Sequence, residues 1–241
     1  MLFLHGLGGT RTAWEPQLED LADEFRCIAW DMPGYGDSAP IEPLTWTAIA
    51  DAATGLFDEL GVVRAHVVGL SFGGQQALHL ALRHPDRVGR LVLAGTSARF
   101  GADGTDPEAW MRLRLDPLDA GSTPADMAAG VIDAIAAPGF GGRERERTIT
   151  AFARIPADGL RAAVRCLPTH DVAEQLGDVR SPTLVIVGEH DAETPLAYAK
   201  ELAAGIPRSE LLVIPGAGHL TPAEAPARFN AAVRRFVHAE G

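Results

Sequence analysis

Residues 67–82 read VVGLSFGGQQALHLAL and contain one serine, Ser71, at the junction of two patterned segments. An apolar run precedes the serine, and apolar side chains recur at helical spacing after it. Gly69, Gly73 and Gly74 surround it. A serine that projects from the end of a strand needs a very sharp strand-to-helix turn, and glycines two residues before and after relieve the crowding there. The stretch therefore predicts a strand, a tight turn at Ser71 and a helix.

The rest of the chain alternates between short apolar runs and helical patterns. Helical patterns lie at about 13–24, 45–60, 72–84, 194–205 and 222–239, the last with Thr221 as its expected N-cap. Strand candidates lie at 2–5, 26–30, 66–69, 90–95, 183–188 and 210–215. These runs lack polar alternation, which is typical of parallel strands buried on both faces. The alternation predicts an α/β fold with a doubly wound, mostly parallel sheet.

One long interval, from Ser97 to Arg180, contains no strand candidate. It reads instead as two or three amphipathic helices and a shorter one near 157–167, separated by turns with Gly and Pro. The interval is too long for an ordinary connection between strands. We therefore predict a core formed by residues 1–96 and 181–241 and an inserted helical cap formed by residues 97–180, hereafter the cap segment.

The composition disfavours several classes of function. The net charge of −11 opposes binding to nucleic acid, whose phosphates would be repelled. The sequence contains neither an apolar run long enough to cross a membrane nor a basic-then-apolar leader. Cys27 and Cys166 cannot by themselves form a disulfide framework or a zinc site. We expect a cytoplasmic protein without nucleic-acid or membrane partners.

A nucleophilic serine needs a base and a carboxylate that orients the base. Asp191 follows the strand candidate 183–188, and His219 follows the strand candidate 210–215. Because the carboxyl ends of parallel strands share one edge of the sheet, both side chains should approach Ser71 there. The sequence predicts Ser71 as nucleophile, His219 as general base and Asp191 as the orienting carboxylate.

Acyl transfer also needs hydrogen-bond donors for the oxyanion. We assign one to the backbone N–H of Phe72, at the start of a helix, and the other to the backbone N–H of Leu7, in the loop HGLGG at 5–9. His5 in that loop is interpreted as structural. Asp31 remains an alternative acid, although a loop-bracing role is favoured for it.

Other interpretations of these motifs are less favoured. Ser71 could be the N-cap of an ordinary glycine-rich turn. Glu189 and His190, beside Asp191, could take part directly in catalysis. The sequence has neither G-x-x-x-x-G-K-[ST] nor G-x-G-x-x-G, which argues against a phosphate-binding turn.

Together these motifs resemble the α/β-hydrolase superfamily over nearly the whole chain. The matching stretches are LHGLGG, DMPGYGDS, GLSFGG, RHPDRVGRLVLAGTSA, PTLVIVGEHDAETP and IPGAGHLTP. Within it, HDVAEQLGDVRSPTLVIVGEHD and LAGTSARFG look most like the 3-oxoadipate enol-lactonase group and related carboxylesterases. The resemblance implies that the cap segment covers the serine. A serine nucleophile argues against haloalkane dehalogenases and epoxide hydrolases, which have aspartate there.

The resemblance also raises an expectation about the edge of the sheet. Members of the superfamily usually begin with two further strands, whereas here Met1 almost enters the first strand candidate. The strand at 26–30 would then lie at a sheet edge without a charge or proline to protect it. We expect this edge to pair with a second copy, in a homodimer, or to be covered by a terminal segment.

These residues predict a serine hydrolase that opens a small carboxylic ester or lactone through an acyl-enzyme, with no metal and no organic cofactor. Alternatives are a carbon–carbon bond hydrolase, a perhydrolase or acyltransferase, and a non-hydrolytic cyclase or lyase. An LGG loop instead of a G-P-G-like loop argues mildly against the first of these. Candidates for the substrate pocket are apolar cap residues and an arginine that could meet a carboxylate: Trp110, Phe140, Phe152 and Arg99, with Arg114 and Arg154 as further arginines.

Overall fold

Six parallel strands form one sheet in the computed structural model of the protein, which describes residues 1–239. The strands are β1 Leu2–Leu4, β2 Ile28–Ala29, β3 Ala65–Leu70, β4 Val88–Ala94, β5 Thr183–Gly188 and β6 Ser209–Ile214. Their order is β2-β1-β3-β4-β5-β6, and every neighbouring pair is parallel. The predicted α/β class with a doubly wound parallel sheet is confirmed. Residues 240 and 241, the end of the predicted core, lie outside the described residues.

Ten α-helices connect or flank these strands within the described part of the chain. They are α1 Glu15–Leu21, α2 Trp46–Glu59, α3 Phe72–Arg83, α4 Pro107–Asp119, α5 Pro124–Ile135, α6 Gly142–Ala153, α7 Ala157–Cys166, α8 Leu196–Gly205, α9 Thr221–Glu224 and α10 Pro226–His238. None of the helices in residues 1–239 has the length and apolar character needed to cross a membrane.

Both faces of the sheet are buried along its central strands β1, β3, β4 and β5, which explains the absence of polar alternation there. The burial expected for the strand at 210–215 is wrong, because β6 lies at the other edge of the sheet and exposes Leu211 and Val213. Leu2 and Leu4 of β1 face one hydrophobic cluster, which contains the apolar faces of α2, α3 and α8. Phe3 between them faces the other cluster, with α1 and α10. Because successive side chains of a strand point to opposite faces, a strand covered on both sides must be apolar at every position.

The interval between β4 and β5 contains four α-helices, α4 to α7, followed by two short 3-10 helices at Leu167–Thr169 and Ala173–Asp178. Local sequence explains where these helices begin. Thr123 caps α5 in a capping box with Asp126, and the side chain of Asp106 caps α4. That residues 97–180 form a separate cap domain over the core stays a prediction.

Two local expectations at the end of the chain are wrong. Thr221 is not an N-cap, because α9 begins at Thr221 itself and Leu220 precedes it as N-cap. The single helix expected over 222–239 is also divided, since α9 ends at Glu224 and α10 begins at Pro226. A residue before proline is disfavoured in the helical conformation, and Ala225 accordingly has φ −139° and ψ 56°.

The strand expected at 26–30 is shorter than predicted and lies at one edge of the sheet. Only Ile28 and Ala29 are in β2, which pairs with β1 among the described strands. Phe25, just before it, contacts His238 near the end of α10, with ring centroids 5.3 Å apart. The homodimer at this edge stays a prediction.

Candidate active site

Ser71 stands at a strained turn between β3 and α3. Its backbone has φ 55° and ψ −120°, and it is the only non-glycine residue with positive φ in the described part of the chain. The Ser71 N–H donates to the carbonyl of Ala94 at the end of β4, 2.8 Å away. Residues whose backbone is held in such a sparsely populated conformation are commonly found at functional sites.

Glycines around Ser71 are required by close backbone packing. A Cβ on Gly69 would collide with the carbonyl oxygen of Gly73, the second residue of α3. On Gly73, a Cβ would collide with the carbonyl oxygen of Leu4 in β1. The first turn of α3 therefore packs directly against the ends of β1 and β3, and this close packing explains the glycines of the motif.

Asp191 and His219 meet beyond the carboxyl ends of β5 and β6. His219 Nδ1 lies 3.0 Å from Asp191 Oδ2 and 3.1 Å from Asp191 Oδ1. Both residues are buried, with 6% of Asp191 and 5% of His219 exposed. The Nδ1–H of the imidazole donates to the carboxylate, so Nε2 is left as the nitrogen that can accept a proton.

The shared hydrogen bond changes the pKa of each partner. Burial alone would lower the pKa of His219, but attraction to the Asp191 carboxylate and the hydrogen bond to it leave that pKa raised. Burial would likewise raise the pKa of Asp191, yet attraction to His219 and the hydrogen bonds that the carboxylate accepts leave it lowered. Both pKa shifts therefore favour the charged forms, a carboxylate at Asp191 and an imidazolium at His219.

Three further hydrogen bonds hold the Asp191 carboxylate. Oδ1 accepts from the backbone N–H groups of Glu193 at 3.0 Å and Thr194 at 2.9 Å. Oδ2 accepts from the Thr194 hydroxyl at 2.9 Å. Thr194 was not among the predicted site residues. Aspartate side chains often accept from backbone N–H groups two and three residues later, and the stretch D-A-E-T at 191–194 has that spacing.

Ser71 and His219 line the same cavity. Within residues 1–239 no hydrogen bond joins Ser71 Oγ to His219 Nε2. Catalytic hydrogen bonds are often long before substrate binds and tighten in the complex. Gly95 leaves β4 with φ 48°, and a Cβ there would lie 3.2 Å from Asp191 Oδ2 and 3.3 Å from His219 Nδ1, so the end of β4 lies against the Asp–His pair.

The loop after β1 lies beside the serine. A Cβ on Gly6 would be 3.3 Å from the Cβ of Ser71. Leu7 lines the cavity, and its carbonyl accepts a 3.0 Å hydrogen bond from the hydroxyl of Tyr35, a fully buried residue that the sequence did not single out. The Phe72 N–H stands at the start of α3, where a helix leaves its first N–H groups without internal partners.

Residues considered as alternative acids or bases have other partners. His5 donates from Nδ1 to the carbonyl of Gly6 at 2.9 Å and accepts at Nε2 from the Met32 N–H at 3.2 Å. Burial lowers the pKa of His5 to about 4. Asp31 is paired with Arg11, whose N–H donates to its Oδ1 at 2.7 Å. Both residues brace the loops that follow β1 and β2.

A cavity of about 400 Å³ opens above Ser71, between the core and the cap segment. Of the four pocket candidates, Trp110, Phe152 and Arg99 line it. Phe140 is absent from the cavity wall among residues 1–239. It follows α5 and packs half-buried against the core, with its N–H bonded to the carbonyl of Ala137.

Arg114 lines the cavity and Arg154 does not, among the described residues. The Arg114 guanidinium carbon lies 3.9 Å from the centroid of the Trp110 ring, and its Nη2 is 3.7 Å from Glu193. Burial lowers the pKa of Arg114, although attraction to Glu193 opposes the effect. Gln75 and Ser97 also line the cavity, joined by a 3.3 Å hydrogen bond, and the Gln75 Oε1 is buried without a hydrogen-bond partner among residues 1–239.

Known proteins resemble this chain in sequence and in fold. The sequence profile of the alpha/beta hydrolase family matches residues 1–232. The chain belongs to the alpha/beta hydrolase family. The crystal structure of the enol-lactonase from Burkholderia xenovorans LB400 has a TM-score of 0.89 at 27% identity, covering 99% of this chain and 90% of that one. The predicted resemblance to the superfamily is thereby confirmed.

Two relatives within the alpha/beta hydrolase family carry names of other reactions. RutD of Caulobacter sp. (strain K31), named as a candidate carbamate hydrolase, is 34% identical over 98% of this chain and 89% of its own length. The 2-hydroxymuconate semialdehyde hydrolase of Pseudomonas sp. (strain CF600) is 35% identical over 98% of this chain and 86% of its own length. The protein is therefore a hydrolase of this family.

Proposed function

We propose that the protein is a serine hydrolase that cleaves a small carboxylic ester or lactone through an acyl-enzyme. The observation that carries the proposal is the buried hydrogen bond between Asp191 and His219, whose imidazole lines the same cavity as Ser71. Nucleophile, orienting acid and base follow one another along the chain as Ser71, Asp191 and His219, the order typical of alpha/beta hydrolases.

In the proposed reaction, His219 Nε2 takes the proton of Ser71 Oγ while the oxygen attacks the substrate carbonyl. The N–H groups of Leu7 and Phe72 stabilise the oxyanion that forms. When the tetrahedral intermediate collapses, the carbon–oxygen bond to the leaving group breaks and His219 returns the proton to that oxygen. Water activated by His219 then attacks the acyl-enzyme, releasing the carboxylic acid and regenerating Ser71.

The size and lining of the cavity support a small substrate. A volume of about 400 Å³ lies toward the lower end of the range for ligand pockets. Apolar side chains such as Trp110 and Phe152 can bury a short acyl group. Arg99 and Arg114 offer guanidinium groups to a substrate carboxylate, which an arginine binds with paired hydrogen bonds.

A fluorophosphonate probe tests the acyl-enzyme step directly. We expect stoichiometric labelling of the native protein, with the added mass on the peptide that contains Ser71, because the probe reacts only with an activated serine. A parallel panel of p-nitrophenyl esters and small lactones should show turnover that the labelling abolishes. Turnover that survives complete labelling, or label on another serine, would contradict the proposal.

Carbon–carbon bond hydrolysis is a second candidate. It is favoured by the 35% identity to the 2-hydroxymuconate semialdehyde hydrolase. Assay of 2-hydroxymuconate semialdehyde beside the ester panel separates the two functions. We expect kcat/KM for short esters or lactones to exceed that for the semialdehyde; the reverse order would favour carbon–carbon cleavage.

The pH profile should follow the protonation of His219. The base must be neutral to accept a proton, and its pKa is raised by Asp191. We expect kcat/KM to fall about tenfold per pH unit below a midpoint that lies above about 6.5, the ordinary value for histidine. Measurement of ester hydrolysis between pH 5 and 9 in buffers of constant ionic strength checks this; a midpoint below the ordinary value would contradict it.

A further inference from the structure

Glu224 ends helix α9, and its carboxylate accepts three backbone N–H groups. Oε2 accepts from Gly218 at 2.7 Å and from Ala137 at 2.8 Å, and Oε1 accepts from Leu220 at 2.8 Å. Gly218 and Leu220 are the two neighbours of His219 in the chain. One half-buried carboxylate therefore holds the backbone on both sides of the imidazole.

The third donor ties this loop to the cap segment. Ala137 lies just beyond α5, and two residues earlier the carbonyl of Ile135 accepts a 3.1 Å hydrogen bond from the His219 N–H. The backbones of these two segments are also in close contact, since a Cβ on Gly218 would lie 2.5 Å from the nitrogen of Ala137. The end of α5 and the His219 loop are thus bound to each other by reciprocal hydrogen bonds.

Helix α5 forms part of the substrate cavity as well. Met127, Val131, Ile132 and Ile135 all line it. A displacement of the end of α5 would therefore move both the cavity wall and the backbone of His219. Hydrogen bonds to a charged acceptor are roughly twice as strong as neutral ones, which suits Glu224 to hold three donors at once.

We propose that Glu224 is a positioning residue that keeps the His219 loop and the end of α5 together, so that the imidazole stays within reach of Ser71 while the cavity wall remains in place. The inference rests on the proposed function, because it assumes that His219 is the base. Glu224 acts through the backbone and touches neither Ser71 nor Asp191 among the described hydrogen bonds.

The test is Glu224→Gln with Glu189→Gln as the matched control. Glu189 is exposed, and its carboxylate accepts a 2.9 Å hydrogen bond from the N–H of Gly216. Gly216 lies just before the His219 loop. In Glu224→Gln one acceptor oxygen becomes an NH₂ group that faces a backbone donor. We expect kcat for esters to fall about 10- to 100-fold with KM changed less than about threefold. Glu189→Gln should stay within about threefold of the wild type.

A pH profile separates positioning of the base from a general loss of stability. The groups whose charge raises the pKa of His219 are Asp191, Glu193 and Glu224. Removal of the Glu224 charge should therefore move the acid limb of kcat/KM to lower pH, whereas partial unfolding would lower the amplitude without moving the midpoint. An unchanged midpoint together with wild-type kcat would overturn the inference.

Fluorophosphonate labelling distinguishes this inference from the proposed function. If wild-type Ser71 is not labelled, the proposed function is wrong. If it is labelled and Glu224→Gln reacts at the same rate, only the role of Glu224 is wrong. Should the variant fail to fold, hydrogen exchange of the wild type decides: we expect slow exchange at Gly218, Leu220 and Ala137, and rapid exchange there would overturn the inference.

Discussion

Replacement of Ser71 by alanine should lower kcat for esters by about five to six orders of magnitude. Alanine lacks the oxygen that would form the acyl bond, and no other hydroxyl among the described residues occupies the turn between β3 and α3. The residual rate should reflect only the oxyanion donors and substrate binding, which the substitution leaves in place. Burst kinetics with p-nitrophenyl acetate, followed at enzyme concentrations high enough to detect a single turnover, measure the loss.

Ser97→Ala is the matched control for this substitution. Ser97 lines the same cavity and its hydroxyl accepts a 3.3 Å hydrogen bond from Gln75, but its backbone does not have the positive φ of Ser71. Loss of one neutral hydrogen bond should cost no more than about tenfold in kcat/KM. Alanine keeps the Cβ of Ser71, so both variants should melt close to the wild type. Turnover by Ser71→Ala within tenfold of wild type would exclude Ser71 as the nucleophile.

Asp191→Asn should lower kcat by about four orders of magnitude while the fold stays intact. Two backbone N–H groups, of Glu193 and Thr194, converge on Oδ1 and will keep the amide oxygen of asparagine at that position. The amide NH₂ is then placed at Oδ2, where it faces His219 Nδ1. The imidazole must accept there, so its proton moves to Nε2 and the nitrogen meant to receive the Ser71 proton is blocked.

The pH dependence gives this prediction a second readout. Without the carboxylate, the burial that lowers the pKa of His219 is no longer opposed by Asp191. The acid limb of the remaining activity should consequently move to lower pH than in the wild type. Glu189→Gln, two residues earlier, serves as control and should leave both kcat and the midpoint unchanged. A loss of less than tenfold in Asp191→Asn would exclude Asp191 as the orienting acid.

Local chemistry made the turn at Ser71 predictable. Glycines on both sides of a serine, after an apolar run and before a helical pattern, describe a sharp strand-to-helix turn because only residues without a Cβ allow such an approach. Local sequence also explains the division between α9 and α10, because Pro226 disfavours the helical conformation for the residue before it. The single helix predicted over 222–239 is wrong because its pattern crosses this proline.

Contacts between distant parts of the chain could not be predicted in the same way. Ala137 and Glu224 are 87 residues apart. Every residue except proline has a backbone N–H, so the sequence does not indicate which of them a given carboxylate will bind. Phe140 illustrates the same difficulty in the cap segment, since its apolar character suits a cavity wall and a packed core equally well. Only the arrangement of the helices selects between these positions.

The sequence by itself determined the parallel α/β sheet, the strained turn at Ser71 and the positions of Asp191 and His219 after successive strands, since hydrophobic periodicity and turn chemistry are local properties. Tertiary structure alone decided that Asp191 and His219 lie 3.0 Å apart, that Arg114 rather than Arg154 reaches the cavity, and that Glu224 joins the His219 loop to α5. Distances and directions of this kind depend on how layers pack against each other, which no single stretch of the chain encodes.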